Sequence, residues 1–136
     1  LKKLDKPFAK RAAFRMKIIV RPGAPTPDTP GNGFLVFGSE PDEDQLVMCG
    51  YRISGKSLSI TQCGKPRGTP RKADLQANVE TLLDVAVDLA SQKVTLTAAG
   101  ETVEGQLDPP IKSIAWIGCG VQSVDADFSA VEISGE

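Results

Sequence analysis

The chain has 136 residues, enough for one domain with a real hydrophobic core. Its 16 Lys/Arg and 17 Asp/Glu leave a net charge of −1, so no overall field favours nucleic acid or a membrane surface. It contains no histidine, which removes the commonest general base, the commonest metal ligand and every Ser–His or Cys–His nucleophile pair.

Strand signals run along most of the chain. Phe14, Met16, Ile18 and Val20 alternate with Arg15, Lys17 and Arg21, a period of two that predicts a strand with one wet face. "PGAPTPDTPGNG" then breaks the pattern, because its prolines remove ladder donors. Strands are expected over 34–38 and 45–53, joined by the hairpin-type connection "SEPDED". "SGK" turns into 57–62, where Leu58 and Ile60 point one way and Ser57, Ser59 and Thr61 the other. "GKPRGTPRK", with Lys65, Arg67, Arg71 and Lys72 and no acid, reads as a loop and as the most mobile segment. Leu75, Val79, Leu82 and Leu83 have helical spacing, whereas Leu83, Val85, Val87 and Leu89 have strand spacing; a strand over 79–89 is expected, with a helical turn before it as the alternative. A hairpin follows, 94–97 with 101–107. The apolar "IKSIAWIGCGV" is expected as a central strand covered on both faces, with Trp116 in the core, and 128–133 as the closing strand. About nine strands with regular turns predict an antiparallel β-sandwich, a single domain over 1–136.

Charge is divided unevenly. Residues 1–72 hold 14 Lys/Arg against 6 Asp/Glu, and residues 73–136 hold 2 against 11. Two oppositely charged halves that interleave in one sheet structure would neutralise each other; the sharper alternative is a basic patch facing an anionic partner. Cys49, Cys63 and Cys119 form no C-x-x-C pair, so a structural zinc site is not expected. Cys49 and Cys119 sit in apolar runs, where a buried thiol acts as a small hydrophobe. The chain starts at Leu1, which points to a piece of a longer protein, and no apolar run reaches the roughly 20 residues of a membrane span.

The candidate chemical groups are few. Asp84 and Asp88 in "DVAVD" would lie about 13 Å apart along one strand, against roughly 5–9.5 Å for paired glycosidase carboxylates, so they are no catalytic pair. Asp42, Glu43 and Asp44 lack the alternating spacing of a calcium loop. Asp125 and Asp127 are the remaining metal candidates, with calcium as the ion they would suit and no other cofactor expected. Tyr51 beside Arg52 offers a stacking ring with a charged donor if it faces outward, a core ring being the alternative, and Arg15, Lys17, Arg67 and Arg71 could meet sulfate or carboxylate groups of an acidic glycan, the alternative being solvated cations on an outer sheet face. Basic residues are not interleaved with aromatics, so nucleic acid is not an expected partner; with the net charge near zero and no long apolar run, neither is a membrane.

Two stretches resemble a known family. "VDLASQKVTLTAAGETVEGQL" with "IKSIAWIGCGVQSVDADFSAVEI" is similar to the closing half of concanavalin A-like (laminin G-like) jelly rolls, and "GNGFLVFG" with "DQLVMCGYRISGKSLSI" resembles their front half. Such modules occur in large secreted bacterial proteins, joined to sulfatases or glycosyl hydrolases. The resemblance therefore implies an extracellular or periplasmic accessory module whose partner is a polysaccharide or the parent catalytic domain. Catalytic branches of that fold carry E-x-D-x-x-E carboxylates, which are absent here, and "CGKPR" is not the C-x-P-S-R nucleophile motif of sulfatases. The fragment itself is thus not expected to be catalytic. The alternatives are a purely structural domain packed on a catalytic domain, or a small glycosyl hydrolase-like domain with carboxylates drawn from different strands.

Overall fold

The computed structural model describes residues 1–21, 32–42, 45–122 and 125–136. The Pro-rich run over 22–31, and Glu43 and Asp44 of the acidic loop, lie outside them. Thirteen strands are described: β1 Lys2–Phe8, β2 Arg11–Arg21, β3 Asn32–Gly38, β4 Val47–Arg52, β5 Ser57–Gln62, β6 Lys65–Pro66, β7 Arg71–Lys72, β8 Thr81–Asp88, β9 Lys93–Ala98, β10 Glu101–Gln106, β11 Ile114–Gln122, β12 Asp125–Phe128 and β13 Glu132–Gly135. No helix is described, and so none is long and apolar enough to cross a membrane. The strands form two antiparallel sheets. One runs β1-β11-β3-β4-β5, with β6 and β7 both pairing β5; the other runs β10-β9-β8-β2, with β12 and β13 both pairing β2. The expected β-sandwich is the fold.

The alternation of β2 explains the stacking. Phe14, Met16, Ile18 and Val20 are fully buried, together with Leu83 and Val85 of β8 and Val94 and Leu96 of β9. They meet Leu35, Phe37, Val47, Leu58, Ile60 and Ile114 from the other sheet, with the Phe14 and Phe37 rings 5.5 Å apart. A one-residue slip of any of these strands would turn its apolar set to water, so burial sets the register.

Four expectations need correction. First, Lys2–Phe8 is a strand that periodicity did not announce: β1 is an edge strand, rich in lysine and carrying Pro7, the composition that protects an edge against further pairing. Second, the "GKPRGTPRK" segment is not all loop: Lys65–Pro66 and Arg71–Lys72 form dipeptide ladders to β5, and the Arg67 amide is bonded to the Ile60 carbonyl at 2.8 Å. A Cβ on Gly68 would stand 1.9 Å from the Glu104 carbonyl oxygen, so this segment presses on β10 at backbone contact. Third, the closing strand is broken into β12 and β13, which pair opposite ends of β2. Fourth, β11 is not covered on both faces: Ile114, Ala115 and Ile117 are buried, Trp116 is half-buried, and Cys119 is exposed. β1 reaches only as far as Ile117, and among the described residues no strand pairs the rest of that β11 edge.

The oppositely charged halves do interleave. Arg15–Asp84, Lys17–Glu80, Arg21–Asp127 and Arg71–Glu101 each join a cation of the first half to an acid of the second. β2 carries the basic row into a sheet whose neighbours carry acidic ones.

The β9–β10 hairpin closes through Ala99 and Gly100 at φ 50° and 78°, the signature of a type I′ turn. Glycine takes that region freely and alanine does not. Ala99→Asn is expected to stabilise the protein by about 0.5–1 kcal/mol, read as a raised urea midpoint at unchanged slope.

Candidate functional site

The outer face of the seven-stranded sheet is built from residues that alternate with the core. Leu35 and Phe37 point inward, so Asn32, Phe34 and Val36 point out; Cys49 and Tyr51 point inward, so Met48, Gly50 and Arg52 point out; Leu58 and Ile60 point inward, so Ser57, Ser59 and Thr61 point out. The ladder registers align them into rows across the sheet. One row reads Gly118, Val36, Met48, Thr61; the next Gly120, Phe34, Gly50, Ser59; the next brings Asn32, Arg52 and Ser57 side by side, with Lys72 of β7 beyond.

Two glycines shape this face. A Cβ on Gly120 would lie 2.7 Å from Phe34 Cε2 and 3.1 Å from Cζ, so the Phe34 ring lies down over β11 on the space glycine leaves. On the other side, Gly50 offers no side chain, and a Cβ there would sit 2.1 Å from the Gly33 carbonyl oxygen. The result is a groove of about 690 Å³ with a bare floor at Gly50, the half-buried Phe34 ring on one side, the hydroxyls of Ser57, Ser59 and Thr61 on the other, and Arg52 at one end. Pro66 and Pro70 of the pinned segment add the outer wall.

The sequence-predicted residues distribute as follows. Arg52 is exposed and lines the groove. Tyr51 borders it by position, but its ring packs in the core at 2% exposure. Burial raises the Tyr51 pKa, with Thr81 and Val20 holding back part of the rise, although neither meets its hydroxyl in good hydrogen-bond geometry. Arg15 and Lys17 lie on the outer face of the opposite sheet, bonded to Asp84 at 3.0 Å and facing Glu80 at 3.9 Å. Arg67 is tied to Gln62, Pro66 and Asp108, and Arg71 to Glu101 at 2.9 Å. The six are therefore not one patch. Asp125 and Asp127 share a face of β12, and Asp127 is bonded to Arg21 at 2.7 Å. Among the described residues no group of three or more acids, cysteines or histidines stands close enough to share a metal ion.

Sequence reasoning missed Phe34, and it assigned Trp116 to the core. Trp116 lies on the outer face in the row of Gly38, with Lys3 Nζ 6.0 Å from its ring centroid. The signal that could have found Phe34 is an outward-phase aromatic in a sheet whose other strands carry isolated glycines, a mark of close approach. All three cysteines are free. Cys49 is fully buried, which drives its pKa far up, and partial burial raises that of Cys119.

A second groove, of about 730 Å³, lies on the outer face of the other sheet between Arg11, Asp88 and Lys93, over a floor of Ala13, Ala86 and Thr95. It offers no aromatic ring.

The architecture belongs to the concanavalin A-like class of jelly rolls. Solved structures similar to it include the carbohydrate-binding module CBM66 from Bacillus subtilis, with a TM-score of 0.76 and 14% identity over 98% of this chain and 80% of that one. The homodimeric agglutinin CG-16 from chicken liver matches at a TM-score of 0.61 and 16% identity, over 98% and 97% of the two chains. Arcelin-5, a lectin-like defence protein from Phaseolus vulgaris, matches at 0.67 and 9%, over 98% and 74%. No protein-family model and no curated protein matches the sequence. At these identities the likeness defines the fold alone.

Proposed function

We propose that this chain is a non-catalytic module that binds a polysaccharide on the outer face of its seven-stranded sheet. The observation that carries the reading is the Phe34 ring laid over Gly120 beside the bare floor at Gly50, with Ser57, Ser59 and Thr61 along the facing strand. A pyranose has apolar C–H faces and a rim of hydroxyls. An aromatic face takes the first, and hydroxyls and a guanidinium take the second. The described lining of the groove holds no carboxylate, so paired-carboxylate hydrolysis would have to draw its groups from elsewhere. The neighbours' names, a carbohydrate-binding module and an agglutinin, support the same reading. Within it, the module serves a polysaccharide-active parent of the sulfatase or glycoside hydrolase kind, outside the cell or in the periplasm, as the resemblance of the two quoted stretches implies.

Affinity electrophoresis through gels containing soluble polysaccharides tests the reading. The chain is expected to be retarded by at least one polymer, and Phe34→Ala to weaken that retention about tenfold, the equivalent of roughly 1.4 kcal/mol of lost stacking, while unfolding stays cooperative. A chain that no polymer retards would be a structural domain instead.

A further inference from the structure

We infer that the sugar read by this groove carries an acidic group, a carboxylate or a sulfate. The inference rests on the glycan-binding reading and narrows it. Arg52 is the one charged side chain among the described residues lining the groove. It takes part in none of the ion pairs among the described residues, which engage Arg15, Lys17, Arg21, Arg71 and Lys93. Its guanidinium is exposed, with five N–H donors and no acceptor. Across the ladder from Arg52 stands Ser57, and beyond it Lys72, whose ammonium also donates to the Gly55 carbonyl at 2.9 Å. That corner is cationic and rich in donors.

A neutral sugar brings hydroxyls, each of which gives a proton as well as taking one. Sites for such sugars gain from carboxylates that accept those protons, and this lining has none. An acidic group reverses the balance. It brings anionic acceptor oxygens, in the spacing a guanidinium fork meets bidentately. The geometry suits this pairing. Arg52 lies two residues along β4 from Gly50, about 7 Å of strand, close to one sugar ring's width. A ring seated on the Gly50 floor against Phe34 therefore directs an exocyclic acid toward the guanidinium.

Any polyanion is also drawn to the lysines of β1, so the test separates the two surfaces. The full chain is run through gels containing dextran, galactan, dextran sulfate or polygalacturonate, at low and at high salt. The expected result is retention by dextran sulfate or polygalacturonate beyond that of the neutral polymers, weakened about tenfold or more by Arg52→Gln and changed less than about threefold by Lys2→Gln/Lys3→Gln/Lys6→Gln. Whichever anionic polymer is retained more strongly identifies the acid. Retention that the triple variant abolishes and Arg52→Gln leaves intact overturns the inference. So does equal retention by neutral polymers, unmoved by Arg52→Gln; if Phe34→Ala then weakens it about tenfold, the glycan-binding reading stands without the acid. Absence of retention by every polymer removes both.

Discussion

Gly50→Ala is expected to cost about 3 kcal/mol or more of folding stability, an effect at the top of the range for an added methyl group. The reason is what the methyl meets. It would lie 2.1 Å from the Gly33 carbonyl oxygen, 2.5 Å from Phe34 Cβ and 2.6 Å from Phe34 Cα. These are backbone and backbone-fixed atoms of the neighbouring strand, which cannot rotate away as the end of a flexible side chain can. Relief requires β3 and β4 to part locally, which weakens their ladder on both sides of the Phe34–Gly50 pair. Gly55→Ala is the control: its Cβ meets only Arg52 Cδ and Ser57 Oγ, each at 3.6 Å, ordinary contact. Urea unfolding of both variants decides the matter. A loss at Gly50 no greater than that at Gly55 would mean that the two strands do not approach as described. Since Gly50 is also the groove floor, any Gly50→Ala protein that folds is expected to bind polysaccharide more weakly than the parent chain.

Gln62→Leu is expected to cost about 2–4 kcal/mol, because the change removes one amide and leaves two backbone groups and the Arg67 Nε–H without their partner. Gln62 is 1% exposed at the end of β5. Its Nε2 donates to the Pro109 carbonyl at 2.7 Å, and its Oε1 accepts from the Asp108 amide at 2.8 Å and from Arg67 Nε at 3.3 Å. The segment between β10 and β11 has no ladder of its own. Gln62 serves one end of it, and Gln92 serves the other, accepting from the Ile111 amide at 2.8 Å and donating to its carbonyl at 2.8 Å. Leucine fills a similar volume but offers neither donor nor acceptor, so the packing term changes little and the polar term carries the loss. Through Arg67, Gln62 also steadies the segment that supplies Pro66 and Pro70 to the groove wall. The expected result is a lower urea midpoint together with weaker polysaccharide retention. A Gln62→Leu protein as stable as the parent would show that water replaces these bonds without cost.

The strands that were legible in the sequence are those with one dry face and one wet face. β2, β5 and the β9–β10 hairpin alternate cleanly, because burial on one side selects every second residue. β1 was not legible: an edge strand beside β11 needs few apolar residues, and its lysines serve solubility rather than packing. Trp116 and Cys119 were misjudged because an apolar run does not say which of its residues are covered: Trp116, paired with Lys3 of β1, has the outward phase of Gly38, and Cys119 lies past Ile117, the last β11 residue that pairs β1. Tyr51 and Arg52 were correctly seen as neighbours, but period two sends neighbours to opposite faces, one ring to the core and one guanidinium to the groove.

The amino-acid order alone determined a β-sandwich, the inward set of its main strands, and the absence of histidine chemistry, because periodicity and composition are local properties. Only the tertiary structure decided which sheet each basic residue joined, that acids of the second half would pair four of them, and that Phe34, Gly50, Gly120 and Arg52 would meet on one face. Those facts depend on strand order and register from β2 to β12. Long-range pairing sets both, and no short window of sequence encodes it.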